Sequence, residues 1–220
     1  MPEEKKVLYD NIEVLRLEIK NLVGMVIEQY KKIIESIKIN STELALEVIK
    51  NDGEINSLTE DIDYDTIKVI ADYHLKPQDL RRVITINKLA YELERIADYA
   101  KNLAEYVITG KKMNVDKASE FIHFDKMFDC ILKMLETNLQ AFLEENKSLA
   151  REALLMDNEI DKMYKDNFNE LLNRFKNTYD ELEQHMISRA LILNKQIERS
   201  GDHLTNISEQ ILYLIKGKKN

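Results

Sequence analysis

The chain has 220 residues and a net charge of −8, with no basic run longer than Gly-Lys-Lys, which argues against a nucleic-acid partner because phosphate contacts need a basic surface. One cysteine excludes an intramolecular disulfide and a cysteine-based zinc site. Five glycines and two prolines leave few places to turn, which argues for long helices, and no apolar run approaches the roughly 20 residues of a membrane span.

The first segment, Met-Pro-Glu-Glu-Lys-Lys, lacks the apolar stretch of a secretory signal, so a cytoplasmic protein is expected. From Leu8 the apolar positions run Leu8, Ile12, Leu15, Ile19, Leu22, Val26, in alternating steps of four and three, the seam of a helix packed in a bundle. Asn40-Ser41-Thr42-Glu43 reads as a helix N-cap, ending a first helix and starting a second. Pro77 suits the first turn of a third, and Thr109-Gly110-Lys111-Lys112 closes it, with Gly110 expected as a left-handed cap. A second seam begins Phe121, Phe124, Phe128, Ile131, Leu135. Cys130 lies within it, as expected of a small buried hydrophobe rather than a nucleophile. Breaks near Asn146-Lys147-Ser148 and between Asn177 and Asp180 divide the rest into a fifth and sixth helix. The fold expected is all-α: six long helices forming a tandem repeat of two three-helix bundles, residues 1–112 and 113–220.

The repeat is tested by register. A shift of 104 lays Glu94, Arg95, Asp98, Asn102 and Glu105 on Glu198, Arg199, Asp202, Asn206 and Glu209. The apolar seam Leu89, Leu93, Ile96, Ala100, Leu103, Val107 moves with them onto Leu193, Ile197, Ser200, Leu204, Ile207, Ile211. Tyr99 falls on His203.

The shared acids are the candidate site. Glu94 and Asp98 share a helical face, as do Glu198 and Asp202. In an antiparallel hairpin, residues equidistant from the turn face each other. Asp161 with Glu198, and Asp157 with Asp202, both centre between Tyr179 and Asp180, while Asn56 with Glu94, and Asp52 with Asp98, both centre on Leu75. Carboxylates meeting at one level repel and call for a cation, and oxygen ligands suit hard ions such as Mg²⁺, Ca²⁺, Mn²⁺ or ferric iron. The candidate metal residues are therefore Asp52, Asn56, Glu94 and Asp98 in one half, and Asp157, Asp161, Glu198 and Asp202 in the other. Arg95, Asn102, Arg199 and Asn206 are candidates for the surrounding shell. The alternative is a solvated acidic face held by arginine salt bridges. With Asn56 where the second half has Asp161, and Gly53 interrupting the helix, the second site is expected to bind more tightly; Gly53 either serves a close approach or weakens its helix.

Catalysis is not expected. A ferritin-like di-iron centre needs Glu-x-x-His on two helices, and only Glu120 with His123 fits; His123 reads better as a core residue, and His203 as a residue of the outer shell or surface. No phosphate-binding glycine loop or supported Ser-His-Asp set is present.

The pair Leu93–Glu105, "LERIADYAKNLAE", and Ile197–Glu209, "IERSGDHLTNISE", resembles the doubled signature of the PhoU family, Glu-Arg-Ile-Gly-Asp-His-Ala-x-Asn-Ile. The resemblance spans the chain and departs at Ala97, for Gly, and Ser200, for Ile. It implies a cytoplasmic, often dimeric regulator that restrains the phosphate-starvation response when phosphate is plentiful. It further implies partners in a phosphate ABC transporter's ATPase and a membrane sensor histidine kinase, and multinuclear iron or zinc clusters on the Glu/Asp-x-x-x-Asp motifs. Two other readings stay open: a metal-free helical adaptor, and a carboxylate-metal storage or redox protein.

Overall fold

The computed structural model describes residues 3–113 and 124–217. Among these residues it contains six α-helices and no strand: α1 (Glu3–Ile39), α2 (Thr42–Asp72), α3 (Pro77–Lys112), α4 (Asp125–Leu143), α5 (Lys147–Asn177) and α6 (Glu181–Lys216). The first three pack on one another as one bundle and the last three as another, joined mainly where α3 meets α6 and, less extensively, where α1 meets α4.

The turns follow from local chemistry. Ser41 caps α2 by accepting from the Leu44 amide, and Asn40 before it takes a positive φ of 52°, which asparagine tolerates. Pro77 opens α3, Asn146 caps α5 through the Ser148 and Leu149 amides, and Asp180 caps α6 through the Leu182 amide. Gly217 ends α6 in the left-handed conformation.

Helix α3 ends where expected, but its expected cap is corrected. Gly110 is buried inside α3, which continues through Lys112 and ends at Met113 with φ −91°. The Met113 amide tightens onto the carbonyls of Thr109 and Gly110, so the lysines of the last turn lie within the helix rather than beyond it. The seam expected from Phe121, and the pair Glu120 and His123, lie outside the described residues; from Phe124 onward the seam is buried as its spacing requires. So are Leu8 through Val26 on α1, and both copies of the α3/α6 stripe.

A core of aliphatic side chains runs through both bundles, and a few polar groups fix how they meet. The buried Tyr30 hydroxyl of α1 donates to the Ile96 carbonyl of α3 (3.2 Å) and also meets Ser200 Oγ of α6. Ser200, the polar departure in the α6 stripe, thus has its partner in the other repeat. Asn138 of α4 is buried, donates to the Leu204 carbonyl (3.2 Å) and accepts from Ser208 (2.7 Å). At one end Arg82 of α3 bridges Glu145 in the α4–α5 turn (3.0 Å). Cys130 is half-buried, its thiol pushed up to about 11 by burial, which agrees with a packing role.

Candidate metal centre

The α2–α3 and α5–α6 hairpins bring the two sets of acids together. In the second hairpin, burial raises the Asp157 carboxyl above its ordinary range, the neighbouring Thr205 hydroxyl offsets part of that, and the charges of Asp161, Asp202 and Glu198 raise it further. The four residues selected by spacing therefore share one electrostatic neighbourhood. In the first, burial raises Glu94, as do Asp98 and Asp52, while Arg95 pulls it down. Asp52, Glu94 and Asp98 are a neighbourhood too.

Several of these carboxylates already have local partners. Lys165 pairs with Asp161 at 3.2 Å along α5, an exposed contact of small energetic weight, and Lys195 pairs with Glu198 along α6. Arg95 reaches Asp98 at 3.6 Å from a mostly exposed position, and Arg199 is exposed. Among the described residues, no three His, Cys, Asp or Glu side chains converge into a ready-made metal cage. The donor chemistry nevertheless fits a hard cation in the second hairpin. Asp157, its carboxyl raised first by burial and further by Asp161, Asp202 and Glu198, forms no ion pair with a lysine or arginine among the described residues, and the acids around it offer oxygen.

Glycine shapes this site, though not the glycine expected. Gly53 has nothing within 4 Å of where a Cβ would stand, so it serves no close approach. At Gly201, which follows Ser200 in the α6 motif, a Cβ would lie 2.9 Å from Asp157 Oδ1 and 3.2 Å from Ile160 Cδ1. Its absence lets α5 approach α6 with the Asp157 carboxyl lying on the α6 backbone. The first hairpin has Ala97 at the corresponding position, and there the inner acid is held differently. Asp52, 2% exposed, accepts from Lys101 Nζ at 2.7 Å across the α2–α3 interface. Its other oxygen, Oδ1, and Asn56 Oδ1 are buried without hydrogen-bond partners.

Asn102 and Asn206 are engaged at the α3–α6 crossing. Asn102 donates to Gln196 of α6 (3.3 Å) and Asn206 donates to Glu92 of α3 (3.1 Å). Glu92 and Gln196 are themselves 104 apart, so the two bonds are mirror copies about the internal pseudo-two-fold. On that axis the rings of Tyr99 and His203 meet with centroids 5.5 Å apart, and His203 Nδ1 contacts Glu92 at 2.6 Å. Burial opposes the Glu92 charge, but the His203 and Asn206 hydrogen bonds outweigh it and hold that carboxyl below its usual range. Motif alignment pairs Tyr99 with His203; that paired positions touch follows only from how the repeats dock. Sequence reasoning passed over Lys101 and Glu92, yet the same alignment carried a signal: Lys101 stands against Thr205, and Glu92 against Gln196.

The family model described as PhoU domain matches residues 19–107 and again residues 124–211. The chain belongs to the PhoU domain family. A phosphate-specific transport system accessory protein PhoU homolog from Clostridium acetobutylicum is 29% identical over 98% of this chain and 97% of its own length. The phosphate-specific transport system accessory protein PhoU of Escherichia coli is 27% identical over 94% of this chain and 84% of its own. The crystal structure of PhoU from Pseudomonas aeruginosa superposes with a TM-score of 0.87 at 25% identity, covering 96% of this chain and 99% of that one. Each matched range falls within one three-helix unit, and the acid motifs of α3 and α6 fall inside the matched ranges.

Proposed function

We propose that this chain is an accessory protein of a phosphate-specific transport system, an adaptor rather than an enzyme, whose paired acid sites organise a regulatory surface. The carrying observation is that the chain, with its two PhoU domains, aligns over nearly its whole length with named transport accessory proteins; acids that interact electrostatically in each hairpin support the reading. In this reading the protein works in the cytoplasm as a homodimer. It contacts the transporter's ATPase and a membrane sensor histidine kinase, and it restrains the phosphate-starvation response when phosphate is plentiful. No described helix is long and apolar enough to cross a membrane, so contact with a membrane-bound partner would be made through protein surface.

Metal ions, in particular a multinuclear iron or zinc cluster, or alternatively Mg²⁺, Mn²⁺ or Ca²⁺, would be held by Asp157, Asp161, Glu198 and Asp202. The counterpart set is Asp52, Asn56, Glu94 and Asp98. A bound cation would supply positive charge where like charges now oppose one another, coupling α5 to α6 more firmly. Elemental analysis of protein purified without chelator, beside an Asp157→Ala/Asp202→Ala variant, tests this: stoichiometric metal in the parent that falls in the variant supports it. The adaptor role is tested by copurification with the ATPase and by phosphate-dependent reporter expression in a strain lacking the gene.

A metal-free adaptor is the second reading, favoured by the acids' existing lysine partners and by the lack of a ready-made cage among the described residues. Metal-free protein that still restores phosphate repression would select it.

A further inference from the structure

The two acid sites differ most in their interiors. In the second, the inner carboxylate Asp157 lies against Gly201, and the cations nearby, Lys165 and Lys195, pair with Asp161 and Glu198 rather than with it. In the first, the corresponding inner carboxylate is Asp52, more deeply buried, and an ammonium is already on it: Lys101 Nζ lies 2.7 Å from Oδ2. The 104-residue register puts Thr205 where Lys101 stands, a neutral side chain whose buried hydroxyl lies beside Asp157 short of a well-formed hydrogen bond. Asn56 in place of Asp161 removes a further negative charge from the first site.

We infer that Lys101 is a built-in counter-cation that competes with metal for the first acid site, so that divalent ions load the second site ahead of the first. This rests on the metal reading above and deepens it. A metal entering between Asp52 and Glu94 must either displace the lysine from the buried Asp52 or bear its ammonium close by, and either costs affinity. The unpartnered oxygens Asp52 Oδ1 and Asn56 Oδ1 are buried in that same interior. The donors for a first-site metal are thus present but reserved. Lys101 acts here as a specificity-determining residue, distinguishing two otherwise duplicated sites.

The test is metal stoichiometry and affinity by calorimetry and elemental analysis, with Mn²⁺, Zn²⁺ and Fe²⁺ each added alone under exclusion of oxygen. The proteins are the parent, Lys101→Thr, Lys101→Gln and Asp157→Ala/Asp202→Ala. Lys101→Gln keeps a hydrogen-bond donor for Asp52 and serves if the threonine variant folds poorly; circular dichroism checks both. The expected result is that the parent loads the site lost in Asp157→Ala/Asp202→Ala first, while either Lys101 variant tightens the remaining site by about tenfold or more. Equal loading of both sites in the parent, or an unchanged first site in folded Lys101 variants, overturns the lysine inference and leaves metal binding standing. Failure of every protein to bind any of the three metals overturns both.

Discussion

The α2–α3 and α5–α6 hairpins began from one pattern and solved the same electrostatic problem in different ways. Both bring acids from two helices into one electrostatic neighbourhood. One places a lysine on its buried aspartate, while the other shows no ion pair to that aspartate among the described residues and lets the helix backbone come close through Gly201. The difference teaches that duplication preserves what packing needs, namely the apolar stripe. Charge inside the hairpin can diverge, because one substitution, lysine against threonine, changes its balance without touching the stripe.

The sharpest way to break this comparison is to remove the lysine. Lys101→Met strands Asp52 as a buried unpaired charge and should lower unfolding free energy by about 2–4 kcal/mol in chemical denaturation. The matching change Thr205→Val, which removes a poorly partnered hydroxyl, should shift it by less than about 1 kcal/mol. Equal effects would mean that the two interiors are alike after all.

Tyr30→Phe removes the hydroxyl that ties α1 to Ile96 of its own repeat and Ser200 of the other, and should cost about 1–2 kcal/mol. A double-mutant cycle with Ser200→Ala should recover part of that as coupling between repeats; strict additivity would remove Ser200 from the docking account.

Next in size, the inner aspartates should respond with opposite signs in metal-free protein. Asp52→Asn weakens the partner of Lys101 and destabilises. Asp157→Asn relieves burial and the repulsion of three neighbouring acids, raising stability by up to about 1 kcal/mol in the presence of chelator, since the group is only half-buried. Thermal melts of the two variants decide it.

Smallest is a pH effect at Glu18 of α1, outside both sites. Burial raises its carboxyl, and Asp65 and Asp61 of α2 raise it further. The folded chain therefore holds this proton more tightly than the unfolded one, and stability falls as pH rises through the window from the ordinary glutamate value to the raised one. Glu18→Gln removes that step. Its gain over the parent should grow across this window and then level off, below about 0.5 kcal/mol; a gain independent of pH would point to packing instead.

Much of this was legible in the linear chain because its information is local or periodic. Six helices follow from heptad spacing and caps. The acids could be levelled across each hairpin because short turns make facing residues equidistant from the bend. Gly110 misled, since a glycine before two lysines looks like a helix end, whereas the buried position in α3 holds the chain helical past it.

By itself, the sequence determined the fold class, the repeat, and which acids share a hairpin, because one helical period and one turn position suffice to compute them. Tertiary structure alone decided that Lys101 reaches Asp52, that Gly201 rather than Gly53 admits a close approach, and that Tyr99 meets His203 and Asn102 and Asn206 cross to the opposite repeat. Those contacts depend on the separation and rotation of packed helices, which no spacing along a single chain encodes.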